Sequence, residues 1–243
     1  QIVSAFFRLH PLIYERFAEL YPSEACKIHS ETVSIDLTLS DEALWSQTRP
    51  EHRTKINRCR RSGFHARQVT FEQNGEDFIE IYTETMNRVS ASASFYFTRD
   101  YFLQLAEVLG ESLHVCVVEF DQTIVCAGLF TECAGIVQYH LGGTRTAFLK
   151  QSPSVLMFDA MRSWAKVRGN HTLHLGGGVG GAADSLHHFK AGFSKRRHSL
   201  PLLRSIPHPE LYQQLVELRA KSLDCSIDKL LQSGFFPAYR AVV

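Results

Sequence analysis

Apolar and polar residues alternate early in the chain. SAFFRLHPLIY (4–14) reads as a strand leaving a core, and TVSIDLTL (32–39) as a second, more strictly alternating one. Ser40 and Asp41 then offer an N-cap to a helix through EALWSQTRPEHRTKINRCRRSG. Pro50 divides it into a short helix and a second one over about 50–62, closed by Gly63. FHARQVTFE (64–72) is another strand. Over 76–91 the apolar residues fall at 78, 79, 81, 82, 86 and 89, a helical spacing, and TRDYFLQLAEVLG (98–110) is a further helix stopped by Gly110.

A β block follows. SLHVCVVEF, TIVCAGLFTEC and GIVQYHLGGT, with turns at Asp121-Gln122 and Ala134-Gly135, predict a three-stranded antiparallel meander. Ser152-Pro153 opens a helix that ends at Gly169. HTLHLGG, HHFKAGFS and HSLPLLRSI read as strands, PELYQQLVELRAKSL as a helix, and the aromatic SGFFPAYRAVV as a segment docked on the core. A meander followed by a β–α–β step predicts an α+β (α/β-like) fold, a mixed, mostly antiparallel sheet with helices on both faces.

Composition narrows the classes. With 243 residues, 44% hydrophobic and 21% charged, the chain can bury one or two cores. A net charge of +1 means that attraction for anions must come from local clusters. No apolar run reaches the roughly 18–20 residues of a membrane span, so no transmembrane segment is expected. No secretory signal is visible. The start at Gln1 suggests a fragment or processed chain. Cysteines at 26, 59, 116, 126, 133 and 225 show no Cys-x-x-Cys spacing, which predicts buried free thiols and a cytoplasmic location.

Five glycines fill six positions from Gly176 to Gly181. A phosphate loop needs Lys-Ser/Thr after its last glycine, but Ala182-Ala183-Asp184 follows here. Gly176, Gly178 and Gly181 fit the dinucleotide spacing, yet no long helix is predicted behind them. The stretch reads as a turn that only glycine fits. His171, His174, His187, His188 and His198 do not converge as ligands, so no metal site is expected. Lys190, between Phe189 and Phe193, is placed to donate to a carbonyl or phosphate oxygen. Two basic runs, Lys195-Arg196-Arg197 and Arg49, Arg53, Lys55, Arg58, Arg60 and Arg61, suit either a solvated face or an anionic ligand such as a nucleotide, a phosphorylated carrier or an RNA backbone.

Taken together, AFFRLHPLI, HLGGTRTAFLKQSPSVLMFDAMRSWAKVRG, LHLGGGVGG, DSLHHFKAGFS and FFPAYR make the chain resemble Fem-type peptidoglycan-bridge aminoacyltransferases and the BioF2-like, CelD-like acetyltransferases of the GNAT superfamily. The resemblance implies a tandem GNAT arrangement. Residues 36–201 look like the complete second half, and 1–35 with 202–243 like remnants of a first half whose beginning is missing. It implies transfer of an acyl or aminoacyl group from acyl-CoA or aminoacyl-tRNA to an amine acceptor such as a cell-wall or polysaccharide precursor, with no tightly bound cofactor. tRNA would engage the basic patches.

By the same resemblance, Lys190 is the catalytic lysine and Phe189 its aromatic neighbour, while Arg99, Tyr101 and Tyr139 contact the acceptor. Gln151, Ser152 and Ser154 stand where relatives place the pyrophosphate loop, at a helix N-terminus, although here they replace its Gly-rich pattern. No general base stands out; Asp184, His187 and His188 are candidates by proximity. The competing reading is a non-catalytic GNAT-like binding scaffold, whose pocket would be blocked near Tyr139 and Lys190.

Overall fold

The computed structural model of the chain describes residues 2–14, 19–20 and 25–242. Along it run β1 (Ala5–Arg8), β2 (Cys26–Asp36), α1 (Asp41–Gln47), α2 (Pro50–Arg61), β3 (His65–Val69), α3 (Phe71–Arg88), α4 (Arg99–Leu109) and β4 (Leu113–Phe120). Then come β5 (Thr123–Cys133), β6 (Ile136–Thr144), α5 (Pro153–Val167), β7 (Thr172–Gly176), α6 (Ser185–Lys190), β8 (Arg197–Ser205), α7 (Pro209–Ser222) and α8 (Ile227–Gln232). The chain divides into two compact units, Thr32–Arg197 and Gln1–Glu31 with His198–Val243.

The larger unit is built on strands in the order β2-β7-β6-β5-β4-β3. The pairs β2/β7, β3/β4, β4/β5 and β5/β6 are antiparallel, and β6/β7 is parallel. The meander forms as its turn signals predict. β4 and β5 carry continuous buried runs because helices cover both faces, whereas β6, IVQYHLGGT, is only half-buried. Along β4, Cys116 and Val118 turn to one core and Val115 and Val117 to the other, the period of two a strand imposes. On the first face α2 and α5 bring Ile56, Met157 and Met161 against Phe130 and Leu173. On the second, α3 and α4 bring Phe78, Ile81 and Phe102 against Leu129.

Two irregularities matter for the site. Leu129 pairs with Leu141 but Phe130 pairs with Tyr139, so His140 is the extra residue of a bulge in β6. The parallel ladder joins Ile136, Val137 and Gln138 to Thr172, Leu173 and His174, and stops there. From Tyr139 onward β6 parts from β7, which leaves that edge of β6 open toward the space between them.

In the smaller unit β1 and β8 pair antiparallel, Ala5 opposite Ser205 and Arg8 opposite Leu202. α7 and α8 pack Tyr212, Val216 and Leu230 against Ala238 and Ala241 of the aromatic tail. The Ala238 N–H donates to the Tyr212 hydroxyl at 2.9 Å.

The structure corrects the sequence reading in three elements. HHFKAGFS, expected as a strand, lies mostly in helix α6 and the turn after it. The Asp184 carboxylate accepts from His187 N–H at 2.8 Å and starts a helix that aromatic residues had disguised. α3 begins at Phe71 rather than 76, because Thr70 and Gln73 form a capping box. α8 was not anticipated; the Ser226 hydroxyl caps it. All six cysteines are free, but only Cys59, Cys116 and Cys126 are buried, and Cys133 is exposed.

Candidate active site

The site forms where β6 and β7 part. Gly176 ends β7 at φ +77°, a left-handed turn that favours glycine, and the chain swings out through the glycine stretch. Asp184 gathers the loop back. Its carboxylate accepts from Val179 N–H at 2.9 Å as well as capping α6. Burial works against its charge, but these backbone N–H groups outweigh it and hold the carboxyl below its usual value. α6 then delivers Phe189 and Lys190 to the gap.

Lys190 is 5% exposed. Its Nζ donates to the Gly177 carbonyl at 2.7 Å and sits 5.4 Å from the centre of the Tyr139 ring. Among the described residues no carboxylate pairs with it. Burial lowers its pKa to about 8. This is an ammonium held in an apolar wall against a neutral oxygen and a ring face. Such a group gains most from a negative charge brought to it.

Tyr139, Phe158 and Phe189 form an aromatic wall, with ring centres 4.8 Å apart for Tyr139–Phe158 and 5.8 Å for Phe158–Phe189. Beside it runs a cleft of about 420 Å³, also lined by Gly143, Ser154 and Arg88. Among the described residues no acidic side chain lines it. Arg88 Nη1 donates to the Thr144 carbonyl at 2.9 Å and to the Thr146 hydroxyl at 3.1 Å. Burial pushes the Tyr139 phenol up, so it stays protonated as a donor at neutral pH.

The expected site residues fall into groups. Phe189, Lys190 and Tyr139 come together. Of the three residues at the start of α5, only Ser154 lines the cleft. Gln151 lines a separate recess of about 250 Å³ with Arg58, and its carbonyl accepts from Cys59 Sγ at 3.2 Å. Ser152 sits at φ 57°, with its hydroxyl 3.5 Å from the Leu149 carbonyl and no cap made to the helix.

Arg99 and Tyr101 stand apart from the lysine. They lie on α4, which packs on the opposite face of the sheet, where Arg99 pairs with Glu76 at 2.5 Å and Tyr101 stacks on Phe97 at 4.4 Å. Of the three candidate bases, Asp184 is committed to its cap and His188 Nε2 meets Arg49 Nη1 at 2.6 Å. His187 Nε2 is buried without a hydrogen-bond partner.

The basic runs are largely engaged within the protein. Arg60 pairs with Asp159 at 2.5 Å, Lys55 with Glu51 at 2.5 Å and Arg196 with Asp36 at 3.0 Å, and Arg58 donates to the Lys150 carbonyl. Sequence reasoning took Arg49 only as part of a basic run and passed over His52. The signal for His52 was positional: His52, Ile56 and Cys59 mark the buried stripe of α2, and a histidine on such a stripe faces the core.

The central parallel pair of the mixed sheet parts near the start of α5, and the cleft lies at the parting. Residues 50–191 match the family model of the acetyltransferase (GNAT) domain, and the chain belongs to that family. It is a GNAT-type N-acyltransferase, an enzyme class that takes acyl-CoA as co-substrate.

Solved structures share the fold. The chain is similar to FemX, 14% identical, with a TM-score of 0.66 over 82% of this chain and 69% of that one. It is also similar to L-PGS from Bacillus licheniformis, 14% identical, with a TM-score of 0.55 over 84% and 68%. No curated protein sequence matches it. Among the described residues no helix is long and apolar enough to cross a membrane, and no group of three His, Cys, Asp or Glu side chains is arranged to hold a metal ion.

Proposed function

We propose that the chain transfers an acyl or aminoacyl group from an activated donor, acyl-CoA or aminoacyl-tRNA, to an amine acceptor of the cell-wall or polysaccharide-precursor class. The observation that carries this reading is Lys190, a buried ammonium with one neutral acceptor, 5.4 Å behind the Tyr139 ring that lines the cleft. The amine attacks the carbonyl carbon of the thioester or ester, and the carbonyl oxygen gains a negative charge. Lys190 stabilises that charge with N–H groups not used on Gly177. Collapse of the intermediate re-forms the carbonyl and expels the thiolate, or the ribose oxygen, which takes up a proton from solvent as it leaves. The amine's proton leaves to His187 or to solvent.

Further support comes from the cleft. Among the described residues its lining carries a guanidinium and no carboxylate, which suits the phosphate-bearing donors of both kinds. It is open along Tyr139, one of the two residues near which a non-catalytic scaffold would be blocked. The engaged state of the basic side chains favours the compact acyl-CoA over tRNA. We read the smaller unit as the remnant of a first GNAT-like half.

A donor screen on the full chain tests the proposal. Acetyl-CoA, longer acyl-CoAs and charged tRNAs are offered with amine-bearing cell-wall precursors, and product mass is measured. One donor class should give product, and K190A should slow its formation by about 10²–10³-fold. Wild-type transfer by K190A overturns the role given to Lys190.

A further inference from the structure

His52 stands behind the cleft wall, 3% exposed, in the first turn of α2. Its Nε2 lies 2.9 Å from the Phe189 carbonyl. A carbonyl only accepts, so Nε2 carries the proton. Nδ1 is buried without a partner. The ring is therefore a neutral donor aimed at one oxygen. It meets Phe193 edge-on at 4.7 Å and Phe189 at 5.2 Å. Gly192 lies against it so closely that a Cβ there would be 2.5 Å from Nε2.

Arg49 adds to the grip. Its backbone N–H donates to the Gly192 carbonyl at 2.7 Å, and its guanidinium holds His188 Nε2. One turn of α2 thus fastens residues on both sides of Lys190. A six-residue helix is marginal on its internal hydrogen bonds, and His52 adds a second donor to the Phe189 carbonyl, which already accepts from Gly192 N–H at 3.0 Å. An apolar ring would fill the same space without burying a nitrogen that has no partner. The Phe189 carbonyl is what the polar ring gains.

We propose that His52 is a positioning residue for Lys190. By its bond to the Phe189 carbonyl and its contacts with Phe189 and Phe193 it fixes the last turn of α6. That keeps the Phe189 ring in the cleft wall and the Lys190 ammonium between Gly177 and Tyr139. The inference rests on the reading of Lys190 as the charge-stabilising group.

The test is the titration of Lys190 in the full chain, by competitive labelling with acetic anhydride across pH and peptide mass analysis. Wild type is compared with H52A, H52Q and H52F, with thermal melts as the check on folding. H52Q keeps a side-chain N–H donor, and H52F keeps the ring without one. In H52A and H52F the Lys190 midpoint should rise by about one pH unit or more toward the ordinary lysine value, as the last turn loosens and water enters. H52Q should restore the wild-type midpoint. If H52A does not fold, the H52Q and H52F pair decides.

Equal midpoints in wild type and H52F overturn the positioning role and leave the proposed function standing. An ordinary lysine midpoint in wild type overturns instead the poised Lys190 on which that function depends.

Discussion

The Lys190 ammonium and the Gly177 carbonyl lie 2.7 Å apart, so the loop that leaves β7 is closed by the side chain it leads to. Loop and lysine are held as one piece, and changes to either should be read through both.

Replacing Lys190 by Met keeps the bulk and removes the charge. Transfer should fall by about 10²–10³-fold, the usual effect of losing one oxyanion donor. Stability should move the other way. The lysine's pKa falls from 10.5 to about 8 on folding, so between those values the unfolded chain binds more protons and wild-type stability rises with pH. Below about 8 the cost of burying the ammonium is fully present. K190M should therefore melt no lower than wild type at pH 7. Its advantage should shrink by up to about 3 kcal/mol as pH rises from 8 to 10.5. Paired denaturant melts over that range measure the difference.

Glu132 ties the end of β5 to its surroundings. Burial alone would raise its pKa, but hydrogen bonds from Arg168, Asn170 and His114 bring it down from 4.5 to about 2. His114 is kept neutral mainly by burial, and gives its Nε2–H to Glu132 at 2.8 Å. The stability from Glu132 is present above pH 4.5 and is lost as pH falls toward 2. E132Q should cost about 2 kcal/mol at pH 7 and flatten the acid limb of the stability profile. Urea midpoints from pH 2 to 7 report both effects.

Gly143 is where α3 comes closest to β6. A Cβ there would collide with Thr85 Oγ1 and lie 2.7 Å from the Ile81 carbonyl. G143A should destabilise the larger unit by about 1–3 kcal/mol. T85A should not rescue it, because the Ile81 carbonyl belongs to the helix backbone. The melting temperatures of the two single variants and the double variant decide this.

Asp159 is buried between α5 and α2, bound by Arg162 and by Arg60. Arg162 is also buried and donates to the Thr48 hydroxyl at 3.0 Å. D159A strands the Arg162 charge and should cost about 3–5 kcal/mol. Adding R162M should recover much of the loss. The coupling in that double-mutant cycle, read by chemical denaturation, is the measurement.

Much of the fold was legible in the sequence. Pro153 and Gly169 bracket α5, Ser40 caps α1, Gly63 closes α2, and the meander's turns announce themselves. α6 was hidden because its cap, Asp184, sits inside a glycine loop, and because six residues show too little periodicity to tell helix from strand. Lys190 was found through its aromatic neighbours and the family resemblance together. His52 escaped because its partner Phe189 lies 137 residues away, a distance no local pattern spans. Tyr101 and Tyr139, both expected to contact the acceptor, belong to opposite cores, with the Tyr101 hydroxyl 3.4 Å from Nε2 of His140, and the sequence order of strands does not say which face a helix will cover.

The smaller unit draws its strands from both ends of the chain: β1 needs β8, and Ser4 meets Tyr239 across 235 positions. During synthesis, at about 5–20 residues per second, β1 waits roughly 10–40 seconds for its partner to be made. The larger unit can fold on the ribosome in that interval, whereas the apolar Phe6 and Phe7 wait for β8. The smaller unit is therefore the later of the two to close.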